Sequence, residues 1–101
     1  MNSAEQLALI QAITERWQKV IDPETQADIV RMRLVENLTT DSNGQIRYTF
    51  RPSSPLCPIA VYLIQQIKLA AAEVPGVNGQ QITVSGYVAA EEVTKLINKE
   101  I

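Results

Sequence analysis

The single cysteine of this chain lies in the run Arg51-Pro52-Ser53-Ser54-Pro55-Leu56-Cys57-Pro58, between two prolines and just before residues patterned as an amphipathic helix. Proline suits the first position of a helix, where its missing N–H is not needed, so Cys57 is expected at or beside the N-cap of a helix starting at Pro58. A helix start presents unpaired N–H groups and the positive end of the macrodipole. A thiol held there is biased toward thiolate, the form that ligates metals and attacks electrophiles. The plainer role for a lone cysteine is that of a small buried apolar side chain.

What the chain lacks narrows that chemistry. It contains no histidine, which removes the commonest general base and the commonest metal ligand together. A thiol-dependent catalyst built on Cys57 would therefore lack the base that usually activates a cysteine. One cysteine excludes an intramolecular disulfide and any paired-cysteine zinc site within one chain, and it fits a reducing compartment.

Other residues offer charge or hydrogen bonds. Asp22-Pro23-Glu24 supplies two carboxylates, although an aspartate before proline is also a common turn starter. Ser53 and Ser54 precede the expected helix and suit the role of caps. Arg31, Arg33, Arg47 and Arg51, four of the five arginines, share the outward parity of a predicted hairpin. Charged residues at outward strand positions are ordinarily a solvated face. Like charges crowded on one face nevertheless repel unless something anionic lies against them, such as an acidic partner, a second subunit or acids of this chain. A net charge of −2 and the absence of outward aromatics argue against nucleic acid.

The elements that must position these residues follow from periodicity. At 101 residues, 46% hydrophobic and 20% charged, the chain is expected to form one domain over residues 1–101. Leu7, Ile10, Ile13, Trp17, Val20 and Ile21 recur with a helical period, predicting a helix from Ala4 to Ile21 with Ser3 and Gln6 as a capping box. Pro23 ends it at Asp22. Alternation predicts strands from Ile29 to Leu38 and from Gln45 to Arg51. Between them, a two-residue Asn43-Gly44 loop would set Leu38 against Thr49 and mix core with solvent. A three-residue loop with Gly44 in the left-handed bulge position pairs Leu38 with Tyr48 and is the expectation.

A second helix is predicted from Pro58 to about Val74, stopped by Pro75-Gly76. Val61, Tyr62 and Leu69 flank its apolar stripe, which implies burial beneath neighbouring helices or a surface for self-association. Gln81 to Val88 reads as a third strand, and Glu91 to Ile101 as a closing helix with acids first and lysines last. The expected fold is α+β in the order α-β-β-α-β-α, a small sheet of a β-hairpin plus a third strand with helices packed on one face. The N-terminus lacks the basic start and apolar core of a signal peptide, and no apolar stretch reaches spanning length. A cytoplasmic protein with no membrane partner is the corresponding expectation.

In this order the local runs resemble a known family. Lys19-Val20-Ile21-Asp22-Pro23-Glu24, Ile29-Val30 with Leu34-Val35, the Asp41-Ser42-Asn43-Gly44 turn, Ser53-Ser54-Pro55-Leu56-Cys57-Pro58 and Val74-Pro75-Gly76-Val77 follow one another across most of the chain. Together they resemble the PaaD/SufT-like family of iron–sulfur maturation proteins. The resemblance implies a small domain that helps assemble or deliver iron–sulfur clusters on client proteins, acting by binding rather than turnover. It implies a site of Asp22, Glu24, Ser53, Ser54 and Cys57, a transient iron–sulfur cluster, and client or cluster-assembly proteins as partners. Cysteine-ligated clusters normally take four thiolates, so Cys57 would bind metal only in a site shared between chains, as in a homodimer, or with a client or small thiol. The alternative on the same fold is a non-catalytic interaction module with an inert Cys57 and an arginine docking face.

Two departures stand out. Where the family usually reads Asp-Leu-Gly-Leu-Val, this chain has Arg31-Met32-Arg33-Leu34-Val35. The family's tail, often rich in tryptophan and proline, is replaced by the segment ending at Ile101.

Overall fold

A computed structural model of the chain describes residues 2–53 and 59–99. Helix α1 spans Ser3–Trp17, strand β1 Val35–Thr40, β2 Gln45–Phe50, helix α2 Ala60–Ala72, strand β3 Gly79–Val84 and helix α3 Ala90–Lys99. The order and the α+β class match the expectation. The sheet runs β1-β2-β3, with β1 antiparallel and β3 parallel to β2.

The hairpin follows the chosen register. Thr39 pairs with Arg47 and Thr40 with Ile46, and Gly44 takes φ +82° in the turn. Asp41 holds that turn: its side chain accepts from the N–H groups of Asn43 at 2.8 Å and Gln45 at 3.0 Å. A bulge between Glu36 and Thr39, with Asn37 at φ +59°, then shifts the register so that Val35 faces Phe50. Such a bulge bends an edge strand and blunts its tendency to pair with other chains.

Ile46, Tyr48, Phe50, Ile82 and Val84 all point inward and pack with Trp17, Leu63, Ile64 and Ile67 in one core. Trp17 meets Tyr48 edge-on, with ring centroids 4.8 Å apart, and donates its indole N–H to the Ile67 carbonyl at 3.0 Å. Tyr48 donates to the Gln80 side chain at 2.7 Å, which in turn donates to the Lys68 carbonyl at 2.9 Å. A buried aromatic pair with both polar tips satisfied ties α1, α2, β2 and β3 together.

Helix α3 covers the outer edge of β3. Thr94 accepts from the Val84 N–H at 2.9 Å, and Asn98 bonds both backbone groups of Ile82. Side chains four residues apart on a helix thus take the place of a fourth strand.

Several boundaries differ from the sequence reading. Asn2, not Ser3, caps α1, its side chain accepting from the Glu5 N–H at 2.9 Å. The helix ends at Trp17 because Lys19 and Val20 bond back to Arg16 and Trp17 in a tight turn that swings Val20 inward. Leu9 rather than Leu7 joins the core, since Leu7 is 68% exposed. The segment from Ile29 to Arg33 is a turn, not a strand. The Asp28 side chain accepts from the Arg31 N–H at 2.8 Å, and Met32 and Leu34 bond back to Asp28 and Ile29. Such local side-chain bonds compete directly with a strand ladder. Strand β3 starts two residues earlier than expected and stops at Val84, because Gly86 at φ +66° turns the chain toward α3 and leaves Val88 exposed. Helix α2 starts at Ala60 with Ile59 as its N-cap, two residues later than expected; Cys57 and Pro58 lie outside the described residues.

Candidate functional site

The start of β1 and the ends of β2 and β3 meet at one end of the sheet. The Arg51 N–H donates to the Leu34 carbonyl at 2.8 Å, and the Ser85 N–H to the Phe50 carbonyl at 3.0 Å. The chain between α1 and β1, which carries Asp22, Glu24, Arg31 and Arg33, enters the sheet at this end, and Ser53 leaves from it. The carboxyl ends of adjacent parallel strands are where open sheets commonly place binding sites.

Asp22 occupies the heart of the entering turn and is 1% exposed, the buried charged residue among those described. Its Oδ1 accepts from the Glu24 N–H at 2.8 Å, its N–H donates to the Ala27 carbonyl at 2.9 Å, and its own carbonyl accepts from Gln26 at 2.7 Å. Gln26 closes the loop at φ +59°. Val20 and Ile29, joined by a 3.0 Å backbone bond, anchor the two arms of this turn in the core. Asp22 therefore organises the backbone on which Glu24, exposed at the turn's tip, is presented. Ser53 is exposed; Ser54 and Cys57 lie outside the described residues.

The four arginines divide into separate groups, contrary to the single hairpin face expected. Arg47 is exposed on the outer face of the sheet, opposite Thr39 and Gln81. Arg31 and Arg33 are exposed in the turn after Asp28, because that stretch never joins the sheet, and Arg33 takes φ +59°. Arg51 follows β2, with Nε 3.8 Å from Glu36 Oε1. Its aliphatic stem runs beside Gly86, where a Cβ would stand 3.3 Å from Arg51 Cγ. In the sequence Gly86 sits at a strand-like position of the alternating run, which conceals this contact. The Ser85-Gly86 pair, a common turn marker, was the available signal.

Among the described residues no group of three or more acidic or sulfur side chains is placed to hold a metal ion. No described helix is long and apolar enough to cross a membrane.

A small α+β domain with one mixed sheet and its polar turns gathered at one end is the class these features define. The chain belongs to the family of iron–sulfur cluster assembly proteins, whose profile matches residues 10–84. It is 32% identical over 75 residues to the Fe-S protein maturation auxiliary factor YitW of Bacillus subtilis, covering 74% of each chain. Its identity to the Fe-S protein maturation auxiliary factor SufT of Staphylococcus aureus is 32% over 65 residues, 64% of this chain and 74% of SufT. The fold superposes on a crystal structure of a domain of unknown function from Bacillus anthracis with a TM-score of 0.75, at 27% identity, covering 99% of this chain and all of the other.

Proposed function

We propose that the chain is an accessory factor in iron–sulfur protein maturation, which assists assembly or delivery of clusters to client proteins by binding and not by turnover. One observation carries this reading: the family match from residue 10 to residue 84 takes in the Asp22–Glu24 turn and the whole Ser53–Pro58 run. Two relatives, each 32% identical to this chain over the matched length, are named Fe-S protein maturation auxiliary factors.

In this reading the cluster is cargo. Cys57 supplies one thiolate toward it or toward a client; Asp22, Glu24 and Ser53 lie at one end of the domain, and Ser54 is proposed to join them in the site. Since a cluster normally takes four thiolates, the remaining ligands come from the client, another assembly protein, a second chain or a small thiol. Arg31 and Arg33, beside the Asp22 turn, provide positive charge to engage acidic residues of the partner. The working compartment is the cytoplasm, where a free thiol stays reduced.

The test is maturation of a client enzyme in cells lacking the parent gene and complemented by the parent chain or by Cys57→Ser. Client activity and iron content per enzyme should return with the parent and not with the serine variant, at equal protein levels. Full rescue by Cys57→Ser would remove the thiol from the mechanism. Failure of the parent chain itself to raise client iron would remove the maturation role.

A further inference from the structure

The turn that follows Asp28 is a single helical turn closed at both ends. The Asp28 carboxylate caps its start by accepting from the Arg31 N–H at 2.8 Å. At its finish the Leu34 N–H donates to the Ile29 carbonyl at 3.0 Å, and the Arg33 N–H to the Val30 carbonyl at 3.0 Å. That nested pair of bonds is a common helix ending, and buried Ile29 and Leu34 fill its two apolar positions. It places Arg33 at the left-handed position, with φ +59°. Glycine is the usual occupant there, because a Cβ in that conformation crowds the following carbonyl.

Three described residues other than glycine take positive φ: Gln26, Arg33 and Asn37. Gln26 closes the buried Asp22 turn by donating to the Asp22 carbonyl. Asn37 lies in the bulge of β1, and asparagine tolerates the left-handed region. Arg33 has no such internal reason. It is exposed, and among the described residues neither its guanidinium nor that of Arg31 has an ion-pair or hydrogen-bond partner. Asp28 is occupied in capping the turn, and Glu36, the next acid along the chain, lies 3.8 Å from Arg51 Nε. Backbone strain at an exposed residue, with no contact in the fold to offset it, points to a contact outside the fold.

We propose that Arg33 is a specificity-determining contact of this chain: its guanidinium, held where the backbone favours glycine, engages a carboxylate-bearing segment of the partner protein. This rests on the reading of the chain as a factor that acts by binding, and it names the residue that selects the partner. A guanidinium keeps its charge throughout the working pH range and presents a planar fork that matches the two oxygens of a carboxylate. Location fits the role. Leu34, next to Arg33, accepts from the N–H of Arg51, two residues before Ser53. A partner held by Arg33 is therefore held at the end of the domain from which Ser53 leaves. The strain also sets an opposition: the side chain that best suits the turn is not the one that binds.

Four variants separate charge from backbone. Arg33→Gly and Arg33→Asn relieve the strain and remove the charge, Arg33→Lys keeps both, and Arg47→Gln removes an exposed charge from the outer sheet face. The Tm of Arg33→Gly should rise by about 4 °C, with a smaller rise for Arg33→Asn and none for the other two. A labelled octaglutamate peptide serves as the acidic probe, read by fluorescence anisotropy at low salt. Its affinity should fall at least several-fold in Arg33→Gly and Arg33→Asn, less in Arg33→Lys, and not at all in Arg47→Gln. Octaglutamine should not bind. An Arg33→Gly variant less stable than the parent would mean that the arginine stem serves the fold, and overturns the proposal. Octaglutamate binding that is absent from the parent, or equal in parent and Arg33→Asn, overturns it too.

The cellular complementation keeps the two readings apart. Arg33→Asn should return less client iron than the parent at equal protein levels. Equal rescue overturns the role of Arg33 and leaves the maturation role standing. Failure of the parent chain removes the maturation role instead, and the octaglutamate measurements then decide the role of Arg33 alone.

Discussion

The carboxamide of Asn98 takes both backbone groups of Ile82: Oδ1 accepts from the N–H at 2.9 Å and Nδ2 donates to the carbonyl at 2.7 Å. Ile82 is fully buried at the edge of the sheet, so these groups would otherwise lack partners. Asn98→Leu should cost about 1–3 kcal/mol in urea unfolding, the penalty for stranding buried polar groups. Loss of less than half a kcal/mol would mean that the β3 edge finds other partners once α3 lets go.

Burial pushes the Tyr48 phenol well above its ordinary value near 10. The folded state therefore holds this proton at pH values where the unfolded chain has released it, and stability falls as pH rises above about 10. The decline attributable to Tyr48 is about 1.4 kcal/mol per pH unit, one proton's worth, and continues up to the folded-state pKa. Unfolding titrations from pH 9 to 11 should show a slope that becomes shallower in Tyr48→Phe, by about half a proton at pH 10 and approaching one proton at pH 11. Equal slopes in both proteins would place the phenol in contact with water.

Gly86 holds φ +66° beside the stem of Arg51. Gly86→Ala should destabilise by about 1 kcal/mol or more, from left-handed strain together with the close approach. Because part of the cost is steric, Arg51→Ala should relieve it, giving a double-mutant coupling of about 0.5 kcal/mol or more. Strict additivity would assign the whole cost to the backbone.

The separation of the arginines makes the docking reading divisible. For a partner seated at the Asp22 turn, Arg31→Glu with Arg33→Glu should weaken binding at low salt several-fold and blunt its salt dependence. Arg47→Glu, on the outer sheet face, should leave it unchanged. Binding measured at two ionic strengths decides; an equal loss from Arg47→Glu would mean that the partner spans both places.

Anaerobic reconstitution of the isolated chain should give less than one cluster per chain, because one cysteine and no histidine supply too few soft ligands. Added small thiol should raise the yield, read from iron, sulfide and the visible absorbance after gel filtration. A monomer holding a full cluster with protein ligands alone would bring Asp22 or Glu24 into the ligand set.

Much of this fold was legible in the chain. The element order, the inward set of Ile46, Tyr48 and Phe50, and the three-residue turn with a left-handed Gly44 all rest on period-2 and period-3.6 patterns or on turn chemistry, which act over a few residues. The family resemblance was legible for the same reason, since its motifs are short runs at fixed spacing. Tertiary structure decided the rest. Ile29 to Arg33 alternates like a strand, yet Asp28 captures the Arg31 N–H and folds it into a turn, and the arginine face disperses with it. Gly86 continues an alternating run in sequence but breaks it in space, where Arg51 and the left-handed backbone turn the chain toward α3. No pattern within the sequence announces that Thr94 and Asn98 will close the edge of β3, or that Asp22 will be buried to hold the turn that presents Glu24. Those outcomes depend on which backbone groups two distant segments leave unpaired when they meet, a quantity that exists only once the chain has folded.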